Sequence, residues 1–160
     1  ERTEKHYTLY RSDYHVVARE KLVYLEHFFD LPQEPVSNGK TVKVLLGQKF
    51  SEEDDQISIR FISTYAKALA IDLYLPHPKE TFTIPDVTYL ETELIFEDVL
   101  PELFQEYEFV HVYHFTSSVS LHLQDLPNVI ITGISLPYYE DRQKELRRLG
   151  CQFERVSLGW

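Results

Sequence analysis

The sequence has one cysteine, Cys151, and no methionine at all. A lone thiol excludes an internal disulfide and a thiolate-bound metal cluster, and it fits a reducing compartment. Glycine is scarce, and neither a dinucleotide-type glycine fingerprint nor a P-loop occurs. No apolar run approaches the roughly 20 residues that a membrane-spanning helix needs, and no secretory signal pattern opens the sequence. Basic residues are the minority, 16 Lys and Arg against 26 Asp and Glu, for a net charge of −10. A nucleic-acid surface needs clustered cations that displace counterions, so this balance argues against a nucleic-acid partner. An anionic small ligand stays open, because backbone amides and a few local cations hold a phosphate even within an acidic protein. The absence of methionine, an initiator included, leads to the expectation that an N-terminal part of the protein precedes residue 1.

What is present is a globular composition. Hydrophobic residues make up 43% and aromatics 14%, enough to bury the core of one domain at this length. Residues 1–40 read as the tail of a preceding element. Leu22, Leu25 and Phe29 fall at helical spacing, and a linker or turn with two prolines and Asn38-Gly39 follows. Residues 41–160 form the expected compact unit, and there strands and helices alternate. Strands are expected at 41–46, 71–75, 109–115 and 128–132, with a short extra one at 86–90 and a last one within 152–158. A helix is expected to follow Ser51 as N-cap, with Ile57, Phe61, Tyr65 and Leu69 on one face. Others fall around Pro101, placed in a first turn, after the serines at 117–118, and up to Gly150 at a C′ position. Alternation with short connections predicts an α/β, Rossmann-like fold: a parallel sheet with helices on both faces.

Ligands of such sheets bind at the carboxyl ends of the strands, and the unusual residues of this sequence gather there. Gly47 and the acidic run Glu52, Glu53, Asp54, Asp55 follow the first strand. His77 and Pro78, in "LPHPKE", follow the second. Thr116, Ser117 and Ser118, in "HFTSSVSL", follow the 109–115 strand. Small hydroxyls at a helix start add donors to free backbone N–H groups and suit a phosphate; the plain alternative is a helix cap. His77 can donate to a phosphate or protonate a leaving group near neutral pH; alternatively it is an ordinary loop histidine. A carboxylate of the acidic run can act as general base, or the whole run is a solvated first turn. His111 and His114, three apart in a strand, make a poor metal pair. Glu91, Glu93 and Glu97 read as a solvated face, and Cys151 as buried packing.

Taken together and in this order, the acidic run, the His-Pro motif and the Ser-Ser motif resemble those of bacterial sialyltransferases. The flanks "VKVLLGQ" and "YLPHPKE" are most similar to the lipooligosaccharide sialyltransferases of glycosyltransferase family 52. The resemblance covers residue 41 to about residue 160 and implies the C-terminal, nucleotide-binding half of a two-domain GT-B enzyme. It implies inverting transfer of sialic acid from CMP-sialic acid to a terminal galactose of a glycan, with no cofactor and no essential metal. Carried onto this sequence, His77 contacts the CMP phosphate and assists its departure, Ser117 and Ser118 hydrogen-bond that phosphate, and Thr116, Pro78 and Gly47 complete its surroundings. The resemblance favours Asp55 as the base, 22 residues ahead of His77, with Asp54 as its substitute. Gln56 stands where related motifs often carry glycine. The expected setting is the bacterial cytoplasm, compatible with peripheral contact with the inner membrane and with a homodimer.

Three other readings remain at this point. One is a sister transferase using another nucleotide sugar, such as a glucose donor. A second is a phospho-receiver domain, which lacks here both its acceptor aspartate and its lysine. The third is a non-catalytic α/β interaction domain in which every motif is a cap or a loop.

Overall fold

Residues 6–8, 22–24 and 34–159 are described by the structure, a computed structural model. Ahead of residue 34 only backbone is described, as two short strands, β1 (His6–Thr8) and β2 (Leu22–Tyr24), paired in parallel. The helical spacing expected around Leu22 is therefore not realised at Leu22–Tyr24, which is extended. A short apolar run does not separate the two periods, and the β-branched Val23 and aromatic Tyr24 favour a strand. Leu25 and Phe29 lie outside the described residues.

From residue 41 the alternation expected from the sequence is realised. β3 (Thr41–Leu46), β4 (Leu73–Leu75), β5 (Phe109–His114), β6 (Val129–Ile134) and β7 (Phe153–Glu154) form one sheet in the order β4-β3-β5-β6-β7. All pairs are parallel, with Val44 opposite Leu73 and Val112 on either side. Such a sheet needs apolar cover on both faces. On one face, Val42, Val44, Leu46, Val110 and Val112 pack with α2 (Phe96–Leu103) and with Leu123 of α3 (Val119–Leu123). On the other, Leu45, Tyr74 and Tyr113 pack with Ile62, Tyr65 and Ala66 of α1 (Asp55–Leu69). The fold is α/β and Rossmann-like.

Several local expectations shift. The N-cap of α1 is Asp54, whose carboxylate accepts the Gln56 N–H. Ser51 instead accepts from the amides of Glu53 and Asp54, forming a turn ahead of the helix. Pro101 falls in the second turn of α2, not the first. The helix starts at Phe96 because Phe96, Val99, Leu100 and Leu103 form one buried stripe, and burying it outweighs the hydrogen bond that proline removes. The extra strand at 86–90 reduces to a single bridge between Tyr74 and Tyr89. Glu97 is buried, not solvated, and meets His122 of α3 at 3.0 Å. α4 (Glu140–Arg148) follows a single 3₁₀ turn (Pro137–Tyr139), and Gly150 beyond it adopts φ 101° as expected.

Candidate functional site: a cleft at the sheet's switch point

Between β3 and β5 the chain reverses its direction of strand addition, first outward to β4 and then back past β3 to β5. The connections leaving the two strands splay apart there and open a crevice at their carboxyl ends. A cleft of about 340 Å³ occupies it, lined by the residues after β3 (Gly47, Gln48, Lys49, Glu52), by His77 and Lys79 after β4, by Thr116, Ser117 and Ser118 after β5, and by Arg142 of α4.

His77 sits in a tight turn. Its carbonyl accepts the Glu80 N–H at 2.8 Å, and Pro78 occupies the second turn position, where its fixed φ is pre-set. Nδ1 accepts the Lys79 N–H at 3.1 Å, so the neutral ring carries its proton on Nε2. Burial, then the Lys79 charge, lowers the His77 pKa, while Glu52 pulls the other way. Pro78 is exposed and does not line the cleft. Beneath the turn, Glu80 Oε2 accepts from Tyr74 Oη at 2.7 Å and from the His77 N–H at 3.0 Å. Burial raises the carboxyl pKa of Glu80, opposed by these hydrogen bonds. Gly47 lies directly against this group: a Cβ there would collide with Tyr74 Oη, Glu80 Oε2 and the His77 nitrogen.

The serine segment is held from below and from the side. Ser117 donates its N–H to His114 Nδ1 at 3.1 Å, and its Oγ accepts the Val119 N–H at 3.2 Å. Ser118 is exposed at the start of α3 and makes no side-chain cap hydrogen bond. Ser117 Oγ thus caps the helix start by accepting, which leaves its O–H, like the Ser118 hydroxyl, available to donate to a ligand. Thr116 donates to Gln48 Oε1 at 2.6 Å, joining the two walls of the cleft. Cys151 is buried with Sγ 3.1 Å from Ser120 Oγ, and burial raises its pKa, as suits packing and not a nucleophile.

The four carboxylates of the acidic run separate by role. Glu52 lines the cleft and pairs with Lys49 at 3.2 Å. Glu53 is exposed. Asp54 caps α1. Asp55, half-buried in the first turn, receives Thr81 Oγ1 at 3.4 Å from just beyond the His-Pro turn; neither aspartate is part of the cleft lining.

Sequence reasoning missed Gln48, Lys49, Lys79, Glu80 and Arg142. Lys79 and Glu80 stood inside "LPHPKE" and were legible as neighbours of His77. Arg142 was not: it reaches the cleft through its neighbour Gln143. That buried amide donates to the carbonyls of Phe115 and Ile134 and accepts the Leu136 N–H, fastening the start of α4 across the ends of β5 and β6.

The family profile of glycosyltransferase family 52 matches residues 1–137. The chain belongs to glycosyltransferase family 52. Its match begins ahead of the three motifs and includes all of them. The chain is 28% identical over 131 residues to the CMP-N-acetylneuraminate:beta-galactoside alpha-2,3-sialyltransferase of Pasteurella multocida, an alignment covering 82% of this chain and 41% of that protein. It is 30% identical over 139 residues to the N-acetyllactosaminide alpha-2,3-sialyltransferase of Haemophilus influenzae, covering 86% and 44%. The enzyme of that name from Neisseria meningitidis is 30% identical over 144 residues, covering 84% and 37%. The chain thus spans about two fifths of the length of these curated relatives.

Proposed function

We propose that this chain is the nucleotide-binding half of a two-domain, GT-B-type sialyltransferase, and that the cleft holds the CMP moiety of CMP-sialic acid. The observation that carries this reading is the convergence of the His77 imidazole and the Ser118 hydroxyl on one cleft at the switch point. Lys49, Lys79 and Arg142 line it too, and the family relatives are named for sialyl transfer. Donors of both kinds suit a phosphate, and cations beside them favour its charge.

In the reaction proposed, a galactose hydroxyl of the acceptor glycan attacks the anomeric carbon of the sialyl group as the bond from that carbon to the phosphate oxygen breaks. Attack from the face opposite the departing CMP inverts the configuration. Negative charge grows on the leaving phosphate, where His77 Nε2–H, Ser118 and the nearby cations stabilise it. Asp55 takes the proton of the acceptor hydroxyl. Within the acidic run, Asp54 caps the helix, Glu52 pairs with Lys49 and Glu53 is exposed, whereas Asp55 is half-buried and stands beside the His-Pro turn. The cationic lining supplies the neutralisation that a metal gives in other transferases, so the reaction proceeds without metal or cofactor. The remainder of the protein grips the acceptor, and the enzyme works in the bacterial cytoplasm, reaching a lipid-linked glycan at the inner membrane.

Calorimetric titration of CMP tests the reading. CMP is expected to bind this chain in the micromolar to millimolar range, about tenfold or more weakly to His77→Ala, with UDP weaker than CMP. Equal binding to parent and mutant, or preference for UDP, would remove CMP-sialic acid as the donor.

A further inference from the structure

We infer that Glu80 is the positioning residue of this site: through the main chain it fixes His77 in the single orientation that leaves Nε2–H available to the donor phosphate. The inference rests on the reading of the cleft as a CMP-sugar site, and it names what holds the leaving-group histidine in place.

The His77–Glu80 turn is already closed by its own backbone hydrogen bond, so the glutamate side chain is not needed to form it. Yet that side chain folds back under the turn. Its Oε2 takes two converging donors, Tyr74 Oη and the His77 N–H, while Oε1 is buried with no hydrogen-bond partner. A buried carboxylate oxygen without a partner is costly; an apolar side chain at position 80 would avoid that cost but leave Tyr74 Oη and the His77 N–H without their shared acceptor. What the carboxylate adds is a rigid link. Tyr74 is fully buried in β4, so the link runs from the sheet interior through Glu80 to the backbone of His77. His77 Nδ1 is meanwhile held by the Lys79 N–H of the same turn, which fixes the ring and its tautomer. Gly47 closes the arrangement from above, since any side chain there would strike all three linked groups. Lys79 and Glu52 are the charges that bear on the His77 imidazole; Glu80 acts on its backbone.

The test reads the His77 ring directly, by ¹⁵N NMR of this chain, alongside CMP titration and melting temperature. Above its titration range, wild-type His77 is expected to show one tautomer with the proton on Nε2. Glu80→Gln, which keeps an acceptor oxygen for both donors, is expected to retain that tautomer and bind CMP within threefold of wild type. Glu80→Ala is expected to show mixed tautomers and at least tenfold weaker CMP binding. A Glu80→Ala protein that merely melts lower, with the single tautomer and CMP affinity intact, would overturn the inference, as would loss in Glu80→Gln equal to that in Glu80→Ala. If Glu80→Ala does not fold, Tyr74→Phe cuts the link at its sheet end while leaving the His77 backbone untouched. Mixed tautomers there support the link, and a single Nε2–H tautomer refutes it. Failure of wild-type chain to bind CMP would count against the proposed function alone, because the tautomer comparison still decides the role of Glu80.

Discussion

His114 ends β5 with its ring sealed from solvent, and burial lowers its pKa to about 4. Its Nδ1 props the serine segment through the Ser117 N–H, while Nε2 is buried without a partner. An ordinary histidine titrates near 6.5 in the unfolded chain, so between pH 6.5 and 4 the unfolded state binds the extra proton. Stability from the neutral ring is full above pH 6.5 and is lost as pH falls toward 4, on the order of 3 kcal/mol in total. Replacing His114 by Asn keeps an acceptor for the Ser117 N–H but removes the titration. Urea unfolding at pH 7 and pH 4.5 is therefore expected to show a clearly smaller acid loss in His114→Asn than in wild type. The sequence disclosed only that His111 and His114 make a poor metal pair. The propping role of His114 depends on its burial, which a strand pattern does not specify.

At the start of α1, adjacent carboxylates make different contacts, Asp54 with the helix and Asp55 with Thr81. Asp54 accepts the Gln56 N–H as N-cap, so Asp54→Ala is expected to cost about 1 kcal/mol of stability and to leave CMP affinity unchanged. Asp55→Asn removes no cap. It is expected to leave the melting temperature and CMP binding near wild type while abolishing the proposed sialyl transfer in the full-length protein. Thermal melts with CMP titration on this chain, and transfer assays on the full-length protein, separate the two. If Asp55→Asn transfers at the wild-type rate, another carboxylate is the base. At this scale the sequence located the helix but misplaced its cap, because Ser51 and Asp54 are both good caps. The choice fell to the residue from which the buried face, Ser58, Ile62, Tyr65 and Ala66, comes into phase with the sheet. Pro101 was misplaced for the same reason, its helix being set by the stripe from Phe96 to Leu103 and not by proline preference.

Across the whole molecule, a net charge of −10 surrounds a cleft lined by Lys49, Lys79 and Arg142. The acidic exterior repels an anion at long range, so its capture depends on these few close cations and the donors beside them. Raising salt from about 50 to 300 mM shortens the screening length well below the width of the domain, which weakens both the repulsion and the attraction. Partly exposed contacts are screened most, so CMP affinity is expected to fall about threefold over that range. Arg142→Ala is expected to flatten the dependence, and cytidine, which carries no phosphate charge, to show none. Rising CMP affinity with salt would mean that the acidic exterior outweighs the cleft.

By itself the sequence determined the alternation of strands and helices from residue 41, the parallel sheet, and the strand ends at which Gly47, His77 and the serines had to fall. These follow from local periodicity and turn chemistry, which act over a few residues. Only the tertiary structure decided that β5 lies beside β3 and that β4 lies on its far side, which brings three separated motifs to one cleft. It also decided which acidic residue caps, that Glu80 braces His77, and that Arg142 of the last helix reaches the site. Those outcomes depend on contacts between residues far apart in the chain, such as Gln143 with Phe115 and Thr116 with Gln48. Such contacts leave no periodic signal, because burial and hydrogen-bond partners are fixed only when the layers pack.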